Sequence, residues 1–234
     1  MDGTTIAIFG FFGLFLLLFI RVPVGIAMMA VGAIGIYAIR PPASIPVIAG
    51  EIFGESSNYP LTILPLFILM GNLAGLSGMS RDLYDAAYSW FGHFKGGLAS
   101  SAVVGCAGFS ALSGSSLAAA LTMGRVSLPE MRRYNYHHGL ATGAIAAGGT
   151  LGILIPPSAG FVVYAILTEE SIGRLFMAGI LPGLLLTGMF IFTIWIIVLR
   201  EPGKAPQSAV ALPLRQRITS LQNAAWIIGI IGIT

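Results

Sequence analysis

Two groups of residues in this chain have the types and spacing to bind an ion. The first is Ser113-Gly114-Ser115-Ser116, inside the uncharged run 97–124. Hydroxyls and unpaired carbonyls at such positions are neutral oxygen ligands. They suit Na⁺, which needs several oxygens and no buried counter-charge. The second is Gly148-Gly149-Thr150, followed by the interruption Ile155-Pro156-Pro157-Ser158. Tandem prolines remove two amide donors, so upstream carbonyls lose their intrahelical partners. Carbonyls freed in this way coordinate Na⁺, and the N-terminus of a half-helix faces an anion. A blander reading makes both groups small-residue packing seams, with hydroxyls bonded to the preceding turn. The two readings are compatible, because close packing is what brings the two breaks into one site.

The elements that position these groups follow from composition. The chain of 234 residues is 56% hydrophobic and 9% charged, against about 25% charged in soluble domains. Mean hydropathy is +0.89, so the expected fold is an all-α integral membrane protein, a polytopic helical bundle in a lipid bilayer. The net charge of +3 does not indicate nucleic acid, since the basic residues fall in short loops between apolar runs. The single cysteine, Cys106, excludes an internal disulfide and a paired-cysteine metal site. It lies in an apolar run and reads as an inert buried thiol. No basic segment precedes the first apolar run, so the first span is expected to be retained.

Apolar runs occur at 4–20, 22–39, 61–78, 97–121, 139–168, 175–199 and 221–234. These predict about six passes, including the incomplete last one. Arg21 and Pro23 mark a tight turn between the first two, and Arg40-Pro41-Pro42 ends the second. Residues 43–60, with Glu51, Glu55 and Asn58, read as a loop. In 80–95, Leu83, Ala87, Trp90 and Phe94 share one helical face, opposite Asp82, Asp85, Ser89 and His93. Ser80 is the expected N-cap. This segment reads as an interfacial helix with Tyr84, Tyr88 and Trp90 at headgroup depth.

Charge decides between a spanning and a re-entrant central run. If 97–124 dips in and returns, Arg21, Arg81, Lys95, Arg125, Arg132, Arg133, Arg200, Lys204, Arg215 and Arg217 share one face, opposite only Arg40 and Arg174. If it spans, the split is Arg21, Arg81, Lys95 and Arg174 against the other eight of the 12. Cytoplasmic loops concentrate Lys and Arg, so the re-entrant arrangement is favoured, with the N-terminus outside. The run 139–168, at 30 residues, suits two half-helices joined at the Pro156-Pro157 break.

The tetrad at 113–116, Pro129-Glu130-Met131, the stretch from Gly149 to Ser158 (GTLGILIPPS) and that from Pro65 to Gly71 (PLFILMG) together resemble the large, DctM-like membrane subunit of tripartite ATP-independent periplasmic (TRAP) transporters, from about residue 6 onward. The resemblance implies a non-enzymatic secondary transporter of elevator type in the bacterial inner membrane, N-terminus periplasmic, driven by Na⁺. It implies a small four-helix membrane subunit and a periplasmic substrate-binding protein as partners, and a small organic anion such as a C4-dicarboxylate or a sialic acid as cargo. On this reading Ser113, Gly114, Ser115, Ser116, Gly148, Gly149, Thr150, Pro156, Pro157 and Ser158 line the ion and substrate site, with Na⁺ held through Ser113, Ser115, Gly149 and Thr150. Segment 1–78 is scaffold, 79–96 an arm helix, and 97–168 the transport unit. Segment 169–234 holds a further span, a cytoplasmic linker and a truncated helix. The family's large subunit is an inverted repeat of which this chain matches the first half, so a chain about twice as long is expected.

Other residues read more plainly. Asn72 either lines the path or bonds a neighbouring helix. His137 and His138 read as solvated loop residues, and Glu51 and Glu55 as a solvated face. No charge lies at the centre of any span, which disfavours a proton relay. Two other classes stand as alternatives: a transporter or channel needing no binding protein, and an intramembrane hydrolase using Ser113 or Ser115. No serine-hydrolase elbow, zinc-protease or phosphate-loop motif supports an enzyme.

Overall fold

The protein is described by a computed structural model over residues 3–57 and 59–206, with positions 213, 215, 217–220 and 229. The run 221–234 therefore lies outside the described residues, apart from position 229, and so does Asn58. The chain divides into two compact units, 1–59 and 60–234. Ten α-helices and one 3₁₀ turn make up the described elements.

The first unit contains α1 (Gly3–Phe19), α2 (Val24–Ile39) and α3 (Pro41–Ser56). Arg21 takes a left-handed φ of 68° in the α1–α2 turn, so the expected hairpin forms. Gly10 admits close packing, since a Cβ there would stand 3.4 Å from Val31. The loop expected at 43–60 is instead the helix α3. Pro41 and Pro42 do end α2, but they also occupy the first turn of α3, where the missing amide costs nothing and φ is already helical. Phe9, Phe11, Phe12 and Phe19 of α1 point outward, as expected of a helix apolar on every side.

The second unit contains α4 (Tyr59–Leu76), α5 (Met79–Phe91), α6 (Gly97–Ser113), α7 (Ser116–Arg133), α8 (His138–Leu154), α9 (Ala159–Thr168), α10 (Ile172–Arg200) and the 3₁₀ turn Pro202–Lys204. Among the described residues, two helical elements are long and apolar enough to cross a bilayer by themselves: His138–Thr168, 31 residues across the break, and α10, 29 residues. Helices α1, α2 and α4, of 17, 16 and 18 residues, reach about 24–27 Å at 1.5 Å per residue.

Helix α6 is the hub, with all but three of its 17 residues buried. Its small side chains let α5, α7, α8 and α10 pack closely around it. Helix α7 runs back along α6, with Met123 over Gly105, two positions equidistant from Gly114. Leu98 N–H donates to the Tyr136 hydroxyl at 3.4 Å, so the chain leaving α7 returns to the start of α6. His137 N–H donates to Lys204 O at 2.9 Å, and Gly96 lies against Ile194 and Val198. Both hairpin ends, the start of α8 and the end of α10 thus meet at one end of the unit.

Three expectations are corrected here. The second hairpin arm does not stop near 124 but continues to Arg133, which places Arg125 on a helix face and not in a loop. Helix α5 is capped by Gly78 (φ 84°), not Ser80, which is buried inside the helix. Tyr84 is turned into the protein and 3% exposed, because Gly105 and Gly108 of α6 leave room for Tyr84 and Leu83. The Tyr84 hydroxyl has no partner among the described residues, and a buried orphan hydroxyl costs about 1–3 kcal/mol. Tyr84→Phe is therefore expected to raise the melting temperature of the detergent-solubilised protein. A melting point well below wild type would show that the hydroxyl is satisfied.

Candidate functional site

The hairpin reverses at Gly114, in the left-handed region at φ 57°, and its amide closes α6 onto Ser110 O at 2.9 Å. The side chain of Ser115 caps α7, accepting from Ala118 N–H at 3.3 Å. Opposite lies the break between α8 and α9, where the Pro156–Pro157 bond is cis. Gly152 and Ile153 carbonyls have no amide four residues on, since both of those positions are proline.

The two breaks abut. A Cβ on Gly114 would stand 2.6 Å from Pro157 O and 3.3 Å from Ser158 Cα. One on Gly152 would stand 2.6 Å from the Ser115 carbonyl carbon and the Ser116 nitrogen. One on Gly149 would meet Ala120 at 2.7 Å and Ser116 O at 3.2 Å, and one on Gly148 would meet Cys106 at 3.0 Å. Helix α4 closes the third side, with Gly71 2.8 Å from Ser113 Cα by the same measure. At Gly71, Gly114 and Gly152 the nearest atoms are backbone, a closeness that any side chain would prevent. The small-residue seam and the meeting of breaks are one feature.

Within this junction the hydroxyls of Ser110, Ser113, Ser116 and Ser158 are buried and have no hydrogen-bond partner among the described residues. Ser110 and Ser158 are 0% exposed. The buried hydroxyls of Ser101 and Ser127, by contrast, are satisfied within their own helices, donating to Gly97 O and Met123 O, both at 2.7 Å. Ser113, Ser116 and Ser158 stand where the breaks meet and Ser110 one turn down α6, so their orphan hydroxyls leave oxygen lone pairs for a ligand, and the neighbouring carbonyls add more. All are neutral, which suits a hard monovalent cation better than a multivalent one.

The structure thus gathers Ser113, Gly114, Ser116, Gly149, Pro157 and Ser158 at one point, with Ser115 beside them as a helix cap. Thr150 lies on an exposed face and donates to Ala147 O at 2.6 Å. Gly148 packs one turn deeper, on Cys106. Ser110 was not singled out from the sequence, although its spacing of three from Ser113 puts both on one helical face. Asn72 is exposed and lines an open cleft with Pro65, Ile68 and Leu69. His137 caps α8, its Nδ1 accepting from Gly139 N–H at 3.2 Å.

An apolar helical bundle in which a helical hairpin and a broken helix meet at a neutral, oxygen-rich point is the architecture of ion-coupled membrane transporters. The comparison with known families makes this specific. The family described as "Tripartite ATP-independent periplasmic transporter, DctM component" matches residues 11–234, and the chain belongs to that family. It is 40% identical over 185 residues to the C4-dicarboxylate TRAP transporter large permease protein DctM of Pseudomonas aeruginosa, covering 79% of this chain and 43% of that protein. Against the sialic acid TRAP transporter large permease protein SiaM of Vibrio cholerae the identity is 36% over 179 residues, 76% of this chain and 41% of the relative. The isethionate TRAP transporter permease protein DctMQ of Oleidesulfovibrio alaskensis is 36% identical over 182 residues, 78% of this chain and 28% of that protein. The chain therefore spans less than half the length of these relatives. They are permeases, and the family is not enzymatic.

Proposed function

We propose that the chain forms part of the large permease subunit of a Na⁺-coupled transporter that imports an organic anion across the bacterial inner membrane. A periplasmic binding protein delivers the anion, and a small membrane subunit completes the permease. The single observation that carries the ion is the set of orphan hydroxyls of Ser110, Ser113, Ser116 and Ser158 where the hairpin tip meets the break. The names of the three relatives above specify different cargoes, each bearing an acid group. A bound cation beside an anion offsets part of the cost of burying its charge.

The hairpin arms and α8, the most closely interlocked helices of the second unit, move as the transport unit in this proposal. The end where the hairpin begins and finishes carries Lys95, Arg132, Arg133, Arg200 and Lys204. In this proposal that basic end faces the cytoplasm, and the N-terminus is periplasmic. Helix α6, 17 residues long, then carries the tip about 25 Å into the bilayer.

Two measurements test this. Uptake of a C4-dicarboxylate or a sialic acid into proteoliposomes holding the complete permease is expected to need both an inward Na⁺ gradient and the binding protein. Uptake without either would replace the proposal with one of the simpler transporter classes. Membrane-impermeant thiol reagents are expected to label Lys95→Cys and Arg133→Cys from the same, cytoplasmic side. Labelling from opposite sides would undo the topology, and Cys106, which is fully buried, adds little background.

A further inference from the structure

A groove of about 570 Å³ opens where the end of α5 and the start of α6 meet the last three turns of α10. Ser100 and Val198, both buried, form its floor, and the half-exposed Phe94, Phe192 and Trp195 form its rims. Lys95 stands at its mouth. The exposed Lys95 makes no ion pair among the described residues, and neither does the neighbouring exposed Arg200.

We propose that this groove holds one acyl chain of an anionic glycerophospholipid, with its phosphate at Lys95. Three observations favour that occupant. Along α10 the lining runs from Gly188 to Leu199, about 16 Å at 1.5 Å per residue, close to half of a ~30 Å hydrocarbon core. Charge is confined to one end, at the hairpin base where the other basic residues gather, and the rest of the lining is apolar or aromatic apart from Ser100. The N-terminus of α6 opens beside Lys95 at Gly97, and its positive dipole end adds to the attraction for a phosphate. Ser100, one turn farther in, offers a hydroxyl at the depth of the glycerol esters. A free organic anion would leave the apolar length unused, and an uncharged hydrophobe would leave Lys95 without a partner.

The test uses the complete permease reconstituted in phosphatidylethanolamine vesicles doped with a phosphatidylglycerol that carries a photoactivatable acyl chain. Matched vesicles carry the same chain on phosphatidylcholine. Label is expected in the peptides covering 91–100 and 188–199, with phosphatidylglycerol about fivefold above phosphatidylcholine, the factor one basic residue contributes to anionic-lipid binding. Lys95→Gln is expected to lower phosphatidylglycerol labelling to the phosphatidylcholine level. Gly188→Phe is expected to remove label from both lipids by filling the groove, and its Cβ meets nothing within 4 Å. Equal labelling by the two lipids, labelling indifferent to Lys95, or no label in 188–199 because protein covers the groove, would each overturn the proposal.

Discussion

Gly152→Val is expected to abolish Na⁺-driven uptake while the helices remain assembled in the membrane. The Cβ that valine adds would stand 2.6 Å from the carbonyl carbon of Ser115 and the amide nitrogen of Ser116. Both are backbone atoms at the start of α7, so no rotamer change relieves the contact, and the hairpin tip must move off α8. Overpacking of this kind costs about 1–3 kcal/mol, which a large helical unit absorbs. The oxygens, however, are displaced by the order of an ångström, and a displacement of that size at a preorganised site costs on the order of 100-fold. Gly114→Ala should behave similarly for two reasons. Its φ of 57° adds about 1–2 kcal/mol for any L-residue, and its Cβ would meet Pro157 O at 2.6 Å. Gly143→Ala is the matched control in the same α8, since a Cβ there meets nothing within 4 Å, and it is expected to transport like wild type. Wild-type uptake and Na⁺ dependence in Gly152→Val would refute the meeting of the two breaks as the ion site.

Ser158→Ala is expected to change stability in opposite directions with and without Na⁺. Ser158 is 0% exposed and its hydroxyl has no partner among the described residues. Without Na⁺ the hydroxyl is therefore a liability of about 1–3 kcal/mol, and alanine should melt higher than wild type in potassium or choline chloride. With Na⁺ bound, wild type gains about 2.7 kcal/mol when the ion stands at 100 times its dissociation constant. Alanine, short of one ligand, should gain much less. Ser113→Ala should share this crossover, since Ser113 is also buried and unpartnered. Ser115→Ala should not, because Ser115 caps α7, and losing a cap costs about 1 kcal/mol under both conditions. Melting curves of the purified permease in each salt separate the two patterns. Parallel curves for Ser158→Ala and wild type would remove Ser158 from the site.

Much of this was legible along the chain because it depends on local chemistry. Tandem prolines at 156–157 break a helix wherever it packs, and glycine at 114 permits a reversal that other residues resist. The charge distribution pointed to a returning hairpin, and the structure brings Leu98 and Tyr136 together accordingly. Less legible were features that depend on what a surface faces. The apolar stripe of α5 has the same periodicity whether it meets lipid or protein. Only the pairing of Tyr84 and Leu83 with Gly105 and Gly108 shows that it meets α6. Helix α3 is hidden for a local reason: Pro41 and Pro42 read as an ending, though they also begin the next helix.

Composition and spacing alone determined the class of fold, the places where helices break, and the kind of ligand that small hydroxyl-bearing residues can offer. These follow from the cost of unpaired backbone in lipid and from the fixed geometry of proline and glycine. Tertiary structure decided which oxygens stand together and which are already occupied. Ser110 joined the site, Ser115 proved to be a cap, and Thr150 turned to an exposed face. A hydroxyl is available to a ligand only when no nearer partner takes it, and its partners are set by helices distant in sequence.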